Sequence, residues 1–176
     1  MAQGTFKRFE KGEKLLKELY TFVKSFKREP IPINKLEEKS LGCIQKGGKA
    51  VITDVLEYGE HCKKQGLNLL TGPGNDIVST TNLAAAGANI ILFTTGRGTP
   101  LGASVPTIKV ASNSRLAKIK NNWIDFNAGE LIKSNDFENM TEEIFKLLID
   151  IASGRQTKNE QNGYRDISIF KDGVIM

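Results

Sequence analysis

Residues 89–102 read NIILFTTGRGTPLG, an apolar run that passes directly into a loop rich in glycine and threonine. A short apolar run bounded by turn residues is typical of a buried β-strand. The same arrangement recurs at GLNLLTGPGND (66–76), VPTIKVAS (105–112) and NWIDFNAG (122–129). The chain therefore contains four predicted strands, and each of them delivers small or polar residues at its carboxyl end.

Helical patterns separate and follow these strands. Two segments have helical composition, DIVSTTNLAAAGA (76–88) and SRLAKIK (114–120), and ENMTEEIFKLLIDIASG (138–154) predicts a longer amphipathic helix. DISIFKDGVIM (166–176) has the alternation of a final strand. Strands that alternate with helices predict the α/β class. We expect a three-layer, Rossmann-like, largely parallel sheet flanked by helices.

The amino-terminal part of the chain has a different character. Apolar residues recur at helical spacing over residues 11–27, and the prolines of EPIPIN (29–34) end the predicted helix. Another helix is expected to start near residue 34. We therefore expect an amino-terminal helix and connector over residues 1–33, followed by a single α/β domain over residues 34–176.

Composition and charge restrict the class of protein. The chain has 176 residues, of which 39% are hydrophobic and 26% charged, as in an ordinary globular domain. Residues 1–30 carry eight Lys/Arg against four glutamates, which is +4 of the net +5. A basic excess confined to one helix argues against nucleic acid as a partner. Cys43 and Cys62 form no CxxC motif, and no apolar run is long enough for a membrane span, so we expect a cytoplasmic location and no membrane partner.

The polar strand ends predict a binding cleft. Ligands of open α/β sheets bind outside the carboxyl ends of the strands, so we expect these ends to line one site. Arg97 is its strongest anion receptor, because the planar guanidinium between two glycines suits a carboxylate or a phosphate. The alternative that Arg97 pairs with Asp76 or Asp125 stays open. The candidates for substrate binding are Asn75, Thr95, Gly96, Arg97, Gly98, Thr99, Asn113 and Asn127.

Neither glycine-rich loop matches a nucleotide-binding motif. GPGND is not GxGxxG, and in GRGTPLG the third glycine is displaced and Pro100 interrupts any helix start. Neither loop has the GxxxxGK[ST] pattern of a P-loop. His61, the single histidine, is interpreted as a surface residue, and there is no zinc-type cluster of histidines and cysteines. Residue chemistry alone indicates a cleft for a polyhydroxylated acid without a complete catalytic set.

Several ordered blocks also resemble one family. EEKSLGCIQKGG (37–48), GPGND (72–76), FTTGRGTP (93–100), NWIDFNAG (122–129) and IASGRQTKNEQNGYRDISIFKDGV (151–174) resemble the carboxy-terminal domain of the altronate and galactarate dehydratases. The resemblance implies a metal-dependent hydro-lyase that converts D-altronate to 2-dehydro-3-deoxy-D-gluconate, with Fe(II) or Mn(II). The reaction it implies removes the proton α to the carboxylate and expels the β-hydroxyl.

Within this expectation, Arg97 with the Gly96 and Gly98 backbone would hold the carboxylate, and Lys46 and Asp76 are the candidate catalytic residues. The hydroxyl contacts would come from Asn75, Asp76, Thr95, Thr99, Asn113 and Asn127. Whether any metal ligand lies in this chain stays open.

The resemblance also predicts a missing partner. Members of the family carry a small amino-terminal domain of the SAF type, with histidines, ahead of the matching region. We expect the metal to bind mainly through that domain, supplied by a longer chain or by a separate subunit, and we expect no dehydratase activity from this chain alone. A homo-oligomer stays open. The alternatives are a galactarate-type lyase, a non-catalytic module for nucleotides or phosphates, and a scaffold domain.

Overall fold

The computed structural model describes residues 50–72 and 74–169 of the chain. The elements in chain order are β1 (Ile52–Leu56), β2 (Leu67–Leu70), α1 (Asp76–Ala85), β3 (Ile91–Thr95), β4 (Thr107–Ala111), α2 (Ser114–Ile119), β5 (Phe126–Asn127), a 3-10 turn (Ala128–Glu130), α3 (Leu131–Ser134), α4 (Phe137–Ala152) and α5 (Lys158–Gln161). The predicted helices and connector before residue 50 lie outside the described residues, as does Lys46.

The chain divides into two compact units. Among the described residues, the first unit contains 50–54 and 64–69, and the second contains 55–63, 70–72 and 74–169.

Part of the two-stranded sheet of β1 and β2 lies in the first unit. There Thr53 Oγ1 donates to the carbonyl oxygen of Leu67 at 3.1 Å. Gly66 has a φ of +111°, and a Cβ added to it would lie 2.6 Å from Thr53 Cγ2, so this turn requires glycine. β2 confirms the strand predicted over residues 66–70. β1 is not among the sequence predictions, although three of its five residues (Ile52, Thr53 and Val55) are β-branched and favour a strand.

The second unit is built on a parallel sheet. The strand order is β3-β4-β5, with Thr95 opposite Ala111 and Ala111 opposite Asn127. Parallel pairing in this register brings the carboxyl ends of the three strands to one edge. The structure therefore confirms an α/β fold with parallel strands and flanking helices, and the edge carries the loops that follow Thr95, Ala111 and Asn127.

Three sequence predictions about strands differ from the structure, in whole or in the part that the described residues cover. The four polar strand ends do not share one sheet, because β2 pairs with β1 and, within the described residues, only the other three form the parallel sheet. The strand expected over 122–129 is reduced to Phe126–Asn127, since the N–H groups of Trp123 and Ile124 turn back to the Lys120 carbonyl. Residues 166–169 form no strand, and the rest of that predicted strand lies outside the described residues.

The helices follow the predicted faces closely. In α4, Met140, Ile144, Leu148 and Ile151 are buried at helical spacing, which confirms the amphipathic pattern. The core of the second unit includes Ala111, Leu116 and Ile124, which form one buried cluster. Among the described residues no helix combines the length and the apolar character needed to cross a membrane.

Candidate functional site

The loop that carries Arg97 (residues 96–102, the Arg97 loop) is fixed close to the end of β3. Thr95 Oγ1 accepts the N–H of Gly98 at 2.9 Å, and the Gly96 carbonyl accepts Asn113 Nδ2 at 3.1 Å. Gly98 has a φ of +81°, and a Cβ there would lie 3.0 Å from Leu116 Cδ1. A side chain at residue 98 would therefore be strained twice, by the left-handed backbone and by the helix behind it.

The Arg97 side chain is exposed to solvent. Across residues 50–72 and 74–169 it makes no hydrogen bond or ion pair, so the proposed pairing with Asp76 or Asp125 is not formed. The Asp125 carboxylate instead accepts the backbone N–H groups of Lys109 and Lys158, each at 2.8 Å. As far as the described residues are concerned, the exposed guanidinium is therefore available to an anion from solution.

The three predicted asparagines all act as amino-terminal caps. Asn75 Oδ1 accepts from Ile77 N at 3.1 Å at the start of α1, and Asn113 Oδ1 accepts from Leu116 N at 2.8 Å at the start of α2. Asn127 Oδ1 accepts from Gly129 N at 3.1 Å, while its amide donates to Ser114 Oγ at 3.2 Å and to Glu130 Oε1 at 3.0 Å. Each asparagine thus fixes the backbone at the point where a loop or strand ends and a helix or 3-10 turn begins.

Sequence reasoning missed Lys109, which lies in the middle of β4. Its side chain has no exposed surface, although lysine is rarely buried completely. Nζ donates to the carbonyl oxygen of Thr99 at 2.7 Å and lies 4.6 Å from the centroid of the Phe93 ring. In the sequence, Lys109 is the single charged residue of the apolar run TIKVA. In a strand whose side chains alternate between a buried and an exposed face, this charge would have been assigned to the exposed face.

Burial lowers the pKa of Lys109 to about 8, because the charged ammonium loses its hydration. The negative charges of Asp76, Asp125 and Asp166 act in the opposite direction and raise it. Burial also raises the pKa of the Asp125 carboxyl, while the hydrogen bonds from the Lys158 and Lys109 backbone lower it. The site therefore contains an amine that changes charge close to the physiological range, within electrostatic reach of three carboxylates.

A segment near the carboxyl end holds the far side of the Arg97 loop. Gly102 N donates to Asp166 Oδ2 at 3.2 Å, and the N–H of Asp166 donates to the Gly102 carbonyl. A Cβ on Gly102 would collide with the carbonyl oxygen of Tyr164. Ser168 N then donates to Thr81 Oγ1 at 3.1 Å in α1. The backbone N–H groups of Asp166 and Ser168 are therefore used in these bonds and not in the ladder of a final strand.

The structure brings most of the predicted substrate-binding residues to one edge of the sheet. Thr95, Gly96, Gly98 and Asn113 are linked directly, and Asn127 is joined to Ser114 next to Asn113. Asp76 lies exposed in the first turn of α1, close enough for its charge to act on Lys109. The prediction that His61 is a surface residue is confirmed, since it is exposed; its ring nitrogen Nδ1 lies 3.0 Å from the Cys62 carbonyl oxygen.

The expected metal does not fit the residues that the structure describes. In that part of the chain, no group of three or more His, Cys, Asp or Glu side chains is placed to hold a metal ion. Asp125 and Asp166 use carboxylate oxygens as acceptors of backbone N–H groups rather than as a joint ligand set.

The amino-acid sequence of this chain matches a known protein family. Residues 32–175 match the family described as D-galactarate/Altronate dehydratase, C-terminal. The chain belongs to this family. Membership agrees with the resemblance carried by the GPGND, FTTGRGTP and NWIDFNAG blocks.

Individual members of the dehydratase family match over most of the chain. An altronate dehydratase of Escherichia coli K12 is 46% identical over 94% of this chain and 37% of its own length. An altronate dehydratase of Bacillus subtilis 168 is 50% identical over 82% of this chain and 29% of its own length. A galactarate dehydratase (L-threo-forming) of Escherichia coli K12 is 35% identical over 83% of this chain and 30% of its own length. The chain therefore spans about a third of the length of these relatives.

Proposed function

We propose that this chain is the substrate-binding and catalytic carboxy-terminal domain of a hydro-lyase that dehydrates D-altronate to 2-dehydro-3-deoxy-D-gluconate. The observation that carries the proposal is Arg97, an exposed cation without an ion pair in the described residues, on a loop fixed at both ends. Family membership and the names of the relatives support a sugar-acid substrate. The higher identity to the altronate dehydratases favours altronate over galactarate.

The proposed role of Arg97 follows from the chemistry of dehydration. Removal of the proton α to a carboxylate places negative charge on that carboxylate as the enediolate develops. A guanidinium already aimed at the carboxylate stabilises this charge without reorganising. Because the Gly98 N–H is donated to Thr95, we assign the carboxylate contact to the Arg97 guanidinium and the Gly96 backbone. Gly98 then supplies the left-handed turn that presents them.

The other roles remain part of the proposal. Asp76 is the candidate base within the described residues, since its carboxylate is exposed at the start of α1 and within electrostatic reach of Lys109. Lys46 is the second catalytic candidate and lies outside the described residues. The hydroxyl groups of the substrate would be held by Asn75, Thr95, Thr99, Asn113 and Asn127.

We further propose that Fe(II) or Mn(II) is bound mainly by an amino-terminal SAF-type domain or subunit. The absence of a ligand cluster in residues 50–72 and 74–169 and the greater length of the relatives support this division. We also propose a cytoplasmic location for the complete enzyme.

Thermal-shift measurements on the 176-residue chain test the proposal. D-altronate, galactarate and a nucleotide such as ATP are compared at matched concentrations. A ligand present at 100 times its Kd stabilises the folded state by about 2.7 kcal/mol, so specific binding is easily detected. Stabilisation by altronate that disappears in Arg97→Ala supports the proposal. Stabilisation by ATP together with indifference to both sugar acids would favour the nucleotide-binding module instead.

A further inference from the structure

The Lys109 ammonium has no role in the proposed reaction, yet it is held in an unusual environment. It is completely buried and lies between Ile108 and Val110 in the middle strand of the parallel sheet. A buried charge destabilises a protein unless hydrogen bonds and opposite charges compensate for its lost hydration. The compensation here is specific, since one N–H of Nζ is directed at the Thr99 carbonyl and the Phe93 ring lies alongside.

The Thr99 carbonyl belongs to the Arg97 loop, so this bond joins the loop to β4. The loop is held at its start by Thr95 and Asn113, and at its end by Asp166. Lys109 supplies the anchor between those two ends, two residues after Arg97. Without it, the hydrogen bonds given for residues 99–101 within the described part of the chain would be reduced to the weak bond from Leu101 N to Thr99 Oγ1 at 3.4 Å.

We propose that Lys109 is a positioning residue that holds the Arg97 loop in its anion-receiving shape through the Thr99 carbonyl. An ammonium is suited to this task because hydrogen bonds from a charged donor are roughly twice as strong as neutral ones. Burial removes competing water, which strengthens the bond further. Lys109 does not touch the substrate in this proposal, since its side chain has no exposed surface. It acts by keeping Arg97 in place.

Hydrogen exchange measured by mass spectrometry tests the positioning role without any ligand. The 176-residue chain is compared with Lys109→Met, which keeps the side-chain volume but removes the donor. Lys120→Met is the matched control, because Lys120 also lies over an aromatic ring, 4.3 Å from the Trp123 centroid, but has no hydrogen bond to the Arg97 loop. We expect exchange at the Gly98 and Leu101 amides to accelerate at least ten-fold in Lys109→Met alone, with α4 unchanged.

Altronate affinity, measured by calorimetry, supplies a second readout that rests on the proposed function. We expect Lys109→Met to weaken binding about ten-fold, and to have no further effect in an Arg97→Ala background, because both changes disable the same receptor. Independent, additive effects of the two substitutions would show that Lys109 does not act through Arg97 and would overturn the inference.

The two proposals can fail separately. If loop exchange accelerates but the unmodified chain binds no sugar acid, the positioning role stands and the proposed function is wrong. If exchange in a folded Lys109→Met protein equals that of the unmodified chain, the positioning role is wrong, whatever the affinity. Should Lys109→Met fail to fold, Lys109→Gln is measured in the same way. Its amide keeps a polar group in the strand, but the side chain is too short to reach Thr99. The same acceleration of exchange is therefore expected, and unchanged exchange would contradict the positioning role.

Discussion

Asn113 Nδ2 lies 3.1 Å from the carbonyl oxygen of Gly96, while Oδ1 of the same side chain accepts the N–H of Leu116. One amide group therefore caps α2 and holds the beginning of the Arg97 loop. The two functions use opposite sides of the amide, so they can be separated by substitution.

Asn113→Asp should keep the cap and lose the bond to Gly96, because a carboxylate accepts from Leu116 but cannot donate to a carbonyl. Asn113→Ala should lose both and destabilise the protein by about 1–2 kcal/mol, the usual cost of a lost helix cap. Urea denaturation measures the free energy of unfolding of each variant. Asn75→Ala is the control, since Asn75 also caps a helix. Equal stability of Asn113→Ala and the unmodified chain would contradict the capping role.

Gly102→Ala should destabilise the fold strongly. The added methyl would collide with the Tyr164 carbonyl and would lie 3.1 Å from Asn159 Cβ, and backbone cannot move aside as a flexible side chain can. We expect a loss of about 1–3 kcal/mol, the range for overpacking a tight contact. Thermal or urea unfolding measures it.

Gly74→Ala provides the control for this substitution, because a Cβ at Gly74 meets no atom of the described residues within 4 Å. Its unfolding free energy should change by no more than about 0.5 kcal/mol, as at other exposed sites. Equal effects of the two substitutions would argue against the contact between Gly102 and the segment that contains Tyr164.

Arg97→Ala should leave the stability of the unliganded chain within about 0.5 kcal/mol of the original, since the side chain is exposed. Altronate affinity should fall by about 1.5–3 kcal/mol, the usual contribution of hydrogen bonds to charged groups. Arg97→Lys should bind with intermediate affinity, because lysine keeps the charge but not the planar fork. Calorimetric titration of the three proteins distinguishes these outcomes. Unchanged affinity in Arg97→Ala would remove Arg97 from the proposed site.

The lowered pKa of Lys109 predicts a dependence of stability on pH. Folded Lys109 releases its proton near pH 8, whereas the ordinary pKa of 10.5 applies when the chain is unfolded. Between these values the unfolded state binds more protons, so stability rises with pH. The cost of burying the charged ammonium is fully present below pH 8 and is relieved as pH increases towards 10.5.

The difference in unfolding free energy between the original chain and Lys109→Met isolates this effect from other titrating groups. It should shift in favour of the original chain above pH 8, by no more than about 1.4 kcal/mol per pH unit. Urea denaturation at several pH values from 7 to 10 measures it. A difference that stays constant, or that moves against the original chain, would contradict the assigned environment of Lys109.

The chain alone should not turn over altronate, even with added Fe(II) or Mn(II). Turnover should appear when a histidine-bearing SAF-type domain is added in trans or fused ahead of residue 1. A coupled assay for the 2-dehydro-3-deoxy acid measures the product. Dehydration by the isolated chain would show that our division of the metal site is wrong.

Much of this site follows from local sequence. The passage from NIILF into TTGRG predicts a buried strand and an exposed loop, and the asparagines after the predicted strands are natural caps. Parallel pairing of β3, β4 and β5 then brings Thr95, Asn113 and Asn127 to one edge. The placement of these strand ends and caps was therefore predictable, because each strand and each cap depends on residues close together in the chain.

Other features depended on contacts between residues far apart in sequence. The local pattern predicted that the end of β2 would lie at the same sheet edge as the other strand ends. In the structure, β2 pairs with β1 in a separate two-stranded sheet. Asp166 meets Gly102 across 64 positions, which turned an expected strand into a segment that holds the Arg97 loop. Alternation predicts a strand for TIKVA, but only the tertiary structure buries Lys109 and places the Thr99 carbonyl and the Phe93 ring next to Nζ. The sequence by itself determined most of the strands, loops and caps. The tertiary structure determined which charged side chains are buried and desolvated, because burial depends on every element that packs against a residue.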